Sequence, residues 1–331
     1  MKLGIIGLGF MGAVHLNAYS KMDDVQIAAV CGHDPRALSG DLSEAGGNVN
    51  LPAAVYDFSL VRKYTDWREI VLDPELDAID ICVPTDLHAT IAISALAARK
   101  HVFCEKPMAL SAADCDRMIA IAEEHNRTLM IGHVLRFWPA YQQLEMFVKS
   151  GDFGPILSAT FVRRCGLPDW SRWLPIEPRS GGAVLDLLIH DIDQALLVFG
   201  PPSRVAAKKL GDVDALTATL IYPQGPEVRI QGGWFLPGVP LSMSFQVRAE
   251  RAELEFTPTG LILNDETGLR ETIAVPDIDG YQAELEYFLH CCRNGKLPER
   301  CTPQDSARAV KLALLLKQSR DLDGEQIECL V

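Results

Sequence analysis

The stretch Leu3-Gly4-Ile5-Ile6-Gly7-Leu8-Gly9-Phe10-Met11-Gly12 decides how the first half of the chain folds. Leu3 to Ile6 is a short apolar run that predicts a buried strand, and Met11 to Ser20 carries helical periodicity. Between them Gly7, Gly9 and Gly12 form G-x-G-x-x-G, and the strand-turn-helix setting lifts that pattern above chance. Each glycine has its own reason. Gly7 permits the tight turn, Gly9 lets backbone approach a pyrophosphate, and Gly12 lets helix pack close to strand. The helix N-terminus adds N–H groups and the positive end of a dipole. A dinucleotide site at Gly7, Gly9, Phe10, Met11 and Gly12 follows; a tight turn without ligand is the weaker alternative.

Outward from this stretch, apolar runs alternate with amphipathic segments. Strands are predicted at Gln26 to Cys31, Ala78 to Val83, His101 to Cys104 and Thr128 to Ile131, and helices at Leu87 to Arg99 and Ala112 to Glu124. Ser111 with Asp114 resembles a capping box. Alternation of this kind predicts a doubly wound parallel sheet, a Rossmann domain over residues 1–130 with a linking helix to about residue 150. Residues 45–58 break the rhythm and read as a long loop.

Beyond Gly151 the pattern changes. One long helix is predicted from Gly182 to Phe199. Six β-rich runs follow through short turns: Arg204 to Lys209, Ala215 to Tyr222, Glu227 to Phe235, Leu241 to Arg248, Ala252 to Phe256 and Gly260 to Leu263. With no helices between them, they predict a C-terminal α+β domain over residues 131–331, built on a largely antiparallel open sheet. Two helices, Tyr281 to Arg293 and Pro303 to Arg320, close the chain, the last able to pack back on the first domain.

The chain has 331 residues, 48% hydrophobic and 23% charged, which suits two soluble domains and argues against disorder. Its formal charge of -13 makes nucleic acid a poor partner. A locally built phosphate site remains compatible, because net charge acts over only about a Debye length. No apolar stretch approaches the roughly 20 residues of a membrane helix, and the glycine-punctuated opening is not read as a signal peptide. Nine scattered cysteines without a C-x-x-C pair are expected to be reduced thiols of a cytoplasmic protein. Of Cys291 and Cys292, at most one is expected to face the core.

In NAD-binding proteins an acidic residue ends the second strand and bonds the adenosine ribose. Gly32 occupies that slot here. The missing carboxylate removes both the ribose bond and the repulsion of a 2'-phosphate, which His33 and Arg36 could meet. The reading is NAD(P) with a lean to NADP, with Asp34 as the residue that could restore an NAD preference.

Glu105-Lys106-Pro107 after one strand, and Asp186 with His190 four positions later in the segment Gly181 to Asp191, carry a family resemblance. With the opening glycines, Pro84-Thr85-Asp86-Leu87-His88, Gly132-His133-Val134-Leu135-Arg136-Phe137 and Thr302-Pro303, the whole chain resembles the glucose-fructose oxidoreductase, inositol dehydrogenase and rhizopine-catabolism family (Gfo/Idh/MocA). The resemblance implies an NAD(P)-dependent dehydrogenase of sugars, inositols or related polyols. It implies Lys106, Asp186 and His190 as the catalytic set, and Pro84, Thr85, His88 and Glu105 as further cofactor contacts. Oxidising a secondary alcohol needs a base for the hydroxyl proton, and an imidazole with pKa near 6.5 suits that role.

Arg136, Trp170, Arg172 and Trp173 are expected to line the substrate, the tryptophans by stacking on a sugar face; a turn pinned by aromatics is the equal alternative. A metal held by Asp186, His190, Asp191 and Asp193 is disfavoured, because Asp191 and Asp193 point elsewhere on a helix. His133 reads as structural or substrate-lining, and His15, His101, His125 and His290 carry no pattern. The resemblance further implies a homodimer or homotetramer through the open sheet face. A tightly cofactor-bound glycosidase using transient oxidation, or a non-catalytic dinucleotide-binding regulator, are the rival functions.

Overall fold

The structure, a computed structural model, describes residues 1–47 and 55–331. The chain divides into two compact units, Met1–Val134 with Asp279–Ala307, and Leu135–Ile278 with Arg308–Val331.

The first unit begins β1 (Lys2–Ile6), α1 (Phe10–Tyr19), β2 (Gln26–Cys31), α2 (Pro35–Ser39), β3 (Arg62–Tyr64) and α3 (Trp67–Val71). It continues β4 (Ala78–Ile81), α4 (His88–Ala97), β5 (His101–Glu105), α5 (Ala112–Glu124) and β6 (Leu129–Gly132). The six strands are parallel in the order β3-β2-β1-β4-β5-β6, so the winding reverses between β1 and β4. Ligands of open α/β sheets bind outside the carboxyl ends of the strands at such a reversal. Leu3, Ile5, Ile79, Ile81, Val102 and Phe103 are wholly buried, as strands covered on both faces require.

Ser111 caps α5 as expected: its hydroxyl accepts the Asp114 N–H at 3.1 Å. The reciprocal half differs, since Asp114 Oδ2 takes the Ser111 hydroxyl at 2.8 Å. Strand β3 is an addition to the sequence reading, because Arg-Lys-Tyr has no apolar run; it hangs on the sheet edge through pairing with β2. Of the predicted loop over residues 45–58, residues 48–54 lie outside the described residues.

After β6 come α6 (Pro139–Ser150), β7 (Ile156–Gly166), α7 (Glu177–Ser180), α8 (Gly182–Asp186) and α9 (Ile189–Phe199). Then follow β8 (Arg204–Lys209), β9 (Asp214–Ile221), β10 (Glu227–Phe235), β11 (Ser242–Ala249), β12 (Ala252–Thr257), β13 (Gly260–Asp265) and β14 (Arg270–Ile273). Helices α10 (Gly280–Asn294) and α11 (Pro303–Asp321) and strand β15 (Ile327–Glu328) end the chain. The second unit's sheet has nine strands in the order β14-β13-β12-β11-β7-β10-β9-β8-β15. All its pairings are antiparallel except β7 with β10. Ala159, Phe161, Val228, Ile230, Phe245 and Val247 form its buried face, while Arg164, Arg229, Gln246 and Arg248 are exposed on the other.

Three expectations change. The predicted Gly182–Phe199 helix is two helices, α8 and α9. The Leu187 and Leu188 N–H groups both donate to Ala183 O, at 2.8 and 2.9 Å, which widens one turn and ends α8 at Asp186. Cys291 and Cys292 are both buried, not one of two. Helix α10 packs on α1 within the first unit, and the two thiols find different cover, Cys291 Sγ on Leu297 O at 3.9 Å and Cys292 beside Thr128. Central strand β7 was not predicted, because Arg163-Arg164 reads as surface; Arg163 is in fact buried in an ion pair.

Candidate active site

The two units each carry one part of the predicted site. In the first, the glycine turn matches its three separate reasons. A Cβ at Gly7, where φ is +100°, would lie 2.2 Å from Cys82 O, and one at Gly12 would lie 2.1 Å from Gly7 O. Backbone packing alone excludes side chains at both. A Cβ at Gly9 would meet nothing within 4 Å, so among the described residues no protein atom crowds that position. Gly9 is also the N-cap of α1, with no side-chain cap on that helix end. These features fit a pyrophosphate; Phe10 and Met11 open the helix beside them.

At the end of β2, Gly32 packs against Leu8, and His33, Asp34 and Arg36 are exposed. Asp34 caps α2 by accepting the Arg36 N–H at 2.9 Å. Arg36 has only a 3.9 Å approach to Glu44.

After β4, Pro84 leads into a 3-10 turn, Thr85–Leu87, and then α4. Thr85 and His88 are buried. The His88 ring spans two backbone carbonyls, Nδ1 at 2.8 Å from Pro107 O and Nε2 at 2.9 Å from Val83 O. Burial lowers its pKa against the two carbonyls, which favour the charged ring, and the ring ties this turn to the Glu105-Lys106-Pro107 corner. The Lys106–Pro107 bond is cis. Lys106 is half-buried.

The Glu105 carboxylate turns inward. Its Oε2 accepts the Lys106 N–H at 3.2 Å, and its Oε1 lies 3.1 Å from His15 Nε2. Here His15 departs from its reading as a histidine without pattern: wholly buried, it also places Nδ1 2.8 Å from Asp80 Oδ2. Tyr19 donates to the same Asp80 oxygen at 3.0 Å. Burial opposes the His15 charge, but Asp80 and Cys82 together outweigh it and raise the pKa well above the usual value. Burial likewise opposes the Glu105 charge, and the His15 hydrogen bond together with the charges of His15, Lys106 and His88 overcomes it and lowers that pKa. Glu284 reaches the same place from α10. The sequence does hold a signal for this group: Asp80 stands between Ile79 and Ile81 in a strand with no exposed residue, where a charge requires a partner.

In the second unit, every residue from Gly181 to Ala195 is buried except Asp186 and His190, which are half-buried. The widened turn between α8 and α9 thus separates two side chains that share partial access in an otherwise closed run. Asp214 anchors α8 by accepting the Ala183 N–H at 2.6 Å, and Arg320 holds Asp214 at 2.7 Å. Buried ion pairs anchor α9 on both sides of Ile192. Asp191 bonds Arg163 at 2.7 and 3.1 Å, and Asp193 bonds Arg136 at 2.6 and 2.9 Å.

Arg136, expected at the substrate, lies within this anchor. Only 3% exposed, its guanidinium is forked onto Asp193 inside the unit. Trp173 is half-buried against Leu174, Ala183, Leu187 and Trp234, which makes it part of the packing under α8. Trp170 and Arg172 stay exposed on the connection before α7. His133 is buried.

Among known proteins, the family model described as "Oxidoreductase family, NAD-binding Rossmann fold" matches residues 1–133, and "GFO/IDH/MocA C-terminal domain" matches residues 141–255. The chain is 27% identical to the myo-inositol 2-dehydrogenase of Thermotoga maritima over 96% of both chains. It is 26% identical to a D-xylose 1-dehydrogenase (NADP(+)) of Haloferax volcanii, over 90% of this chain and 91% of the other. A levoglucosan dehydrogenase solved in complex with NADH has the same fold, with TM-score 0.84 at 20% identity over 99% of both chains.

Proposed function

The chain belongs to the Gfo/Idh/MocA family of NAD-binding oxidoreductases, and we propose that it interconverts a secondary alcohol and ketone of a sugar, inositol or related polyol, with Lys106, Asp186 and His190 as its catalytic set. The observation that carries this reading is the accessibility of Asp186 and His190 alone within the buried run from Gly181 to Ala195. An acid and a base at the two partly exposed positions of an otherwise buried segment are placed where a substrate can reach them.

His190 takes the hydroxyl proton in oxidation and returns it in reduction, a contribution of about 10² to 10⁴-fold. Lys106 donates to the reacting oxygen and stabilises its developing negative charge. Asp186 orients the substrate hydroxyl and the imidazole. The nicotinamide, when bound, supplies the hydride acceptor. Gly7, Gly9 and Gly12 hold its pyrophosphate, and Trp170 and Arg172 meet the sugar.

NADP is the preferred cofactor in this reading. No carboxylate ends β2, Asp34 is engaged as a helix cap, and His33 and Arg36 are exposed where a 2'-phosphate would lie. Relatives' names point both ways, one to NADP and one to NADH. Nine free cysteines suit a reducing compartment such as the cytoplasm. The polar open face of the second sheet is the proposed contact of a homodimer or homotetramer.

A panel of sugars and inositols run with NAD and NADP, read at the nicotinamide absorbance, tests this. Net cofactor reduction, abolished in Lys106→Ala and His190→Ala, supports it. Unchanged activity in both variants overturns the catalytic set. Glycoside cleavage without net cofactor turnover points to transient oxidation, and cofactor binding without turnover points to a regulator.

A further inference from the structure

Beneath the Glu105-Lys106 corner the first unit buries a group of ionisable side chains that the proposed chemistry leaves unused. His15 comes from α1, Asp80 from β4 and Glu284 from α10, and none has any exposed surface. His15 Nδ1 lies 2.8 Å from Asp80 Oδ2, and Nε2 lies 3.1 Å from Glu105 Oε1. Carboxylates only accept, so both bonds form at once only when both ring nitrogens carry hydrogen. The geometry therefore makes His15 a buried imidazolium between two carboxylates. Asp80 also accepts from the Tyr19 hydroxyl and the Cys82 thiol, at 3.0 and 3.4 Å. The second oxygen of Glu105 takes the Lys106 N–H.

Glu284 is different. Neither of its oxygens has a hydrogen-bond partner among the described residues. One of them nevertheless lies within 4.8 Å of both a His15 ring nitrogen and a Glu105 oxygen. As a carboxylate it would be a third negative charge against one imidazolium, away from water, which burial opposes strongly. The charged groups that face it are Glu105, His15, Asp80 and, at the start of α10, Asp279; three of the four are acidic. Burial first and Glu105 second raise its pKa well above the usual carboxyl value.

We propose that Glu284 is held as a neutral carboxylic acid and that Glu284 and His15 are positioning residues for the Glu105-Lys106 corner. His15 fixes one oxygen of Glu105, and the proton of Glu284 gives that carboxylate a neutral neighbour instead of a repelling one. Glu105 then stays ionised with its other oxygen on the Lys106 N–H. The positioning role rests on the reading of Lys106 as catalytic, whereas the neutral state of Glu284 does not. The same three residues, His15, Glu105 and Glu284, are also ligand types for a divalent metal, with Asp80 as outer partner. Such a metal would require Glu284 to be ionised.

Two measurements on the full-length protein separate these states. The infrared difference between wild type and Glu284→Gln at neutral pH is expected to show the carbonyl stretch of a neutral carboxylic acid, and elemental analysis no stoichiometric divalent metal. Absence of that band, or one bound zinc or manganese per chain, overturns the neutral Glu284. In steady-state kinetics, His15→Gln and Glu284→Leu are expected to lower kcat by about tenfold or more with little change in the sugar KM. Glu284→Gln, neutral and of the same shape, should restore most of what Glu284→Leu loses. Unchanged kcat in His15→Gln, or no rescue by Gln, overturns the positioning role. Should Lys106→Ala keep its activity while the acid band is present, the catalytic assignment fails and the buried acid stands.

Discussion

Arg163 Nε lies 2.7 Å from Asp191 Oδ2, and Asp191 directly follows His190. Both members are buried, and burial's penalty on the guanidinium is outweighed by Asp191, so the Arg163 pKa is raised. Removing one partner leaves a bare buried charge. Arg163→Met or Asp191→Asn should each cost about 3–5 kcal/mol in urea unfolding, while Arg163→Met with Asp191→Leu should recover much of that loss. Because α9 carries His190, the double variant should fold yet show reduced kcat. A double variant with full kcat would mean that the pair serves stability alone.

The fold was legible because its signals are local. The alternation around Gly7 to Gly12 set the first sheet, and β8 and β10 fall on the predicted residues Arg204–Lys209 and Glu227–Phe235. What escaped depends on partners distant in sequence. Strand β7 holds two arginines, and nothing near Arg163 announces that Asp191 waits 28 residues on. Arg136 looked available for substrate for the same reason, with Asp193 57 residues away. His15, Asp80, Glu105 and Glu284 span most of the chain, and only the fold assembles them. The break after Asp186 has no Pro or Gly to mark it; it lies in a bond pattern at Ala183 O.

The glycine turn separates folding from binding. Gly7→Ala places a Cβ 2.2 Å from Cys82 O at a positive φ, so strain and overpacking should together cost at least about 2 kcal/mol. Gly9→Ala meets no protein atom within 4 Å and has φ of -83°, so stability should change by less than about 1 kcal/mol. Its loss should instead fall on dinucleotide affinity. Cofactor fluorescence titration beside thermal unfolding checks the contrast; equal affinity in Gly9→Ala and wild type would remove the pyrophosphate from this turn.

The buried group makes stability depend on pH in a definite direction. Glu105, with its pKa lowered, contributes stability above the unfolded carboxyl value of about 4.3, and this is lost as pH falls through its folded value. His15, with its pKa raised, contributes stability below about pH 6.5 that is lost as pH rises through its folded value. Glu284 acts the opposite way to Glu105. Its raised pKa means that the unfolded chain loses this proton first, so the folded state is penalised once pH exceeds about 4.3. Glu284→Gln removes that penalty. The urea midpoint of the variant relative to wild type should therefore climb as pH rises above about 4, and a flat difference would contradict a protonated Glu284.

The proposed preference for NADP turns on the end of β2. A Cβ at Gly32 would sit 3.4 Å from Leu8 Cδ1, an ordinary contact, and the backbone there does not require positive φ, so an aspartate fits without strain. Its carboxylate would reach the adenosine ribose and repel a 2'-phosphate. Asp34 already spends one carboxylate oxygen on the Arg36 N–H it caps. Arg36→Ala removes the exposed cation from the same edge. Each hydrogen bond to a charged group contributes about 1.5–3 kcal/mol, so Arg36→Ala should weaken NADP binding by about tenfold and leave NAD nearly unchanged. Gly32→Asp should lower the NADP to NAD ratio of kcat/KM by at least that factor. A wild-type preference for NAD, or an Arg36→Ala variant that loses both cofactors equally, would place the specificity elsewhere on the first unit.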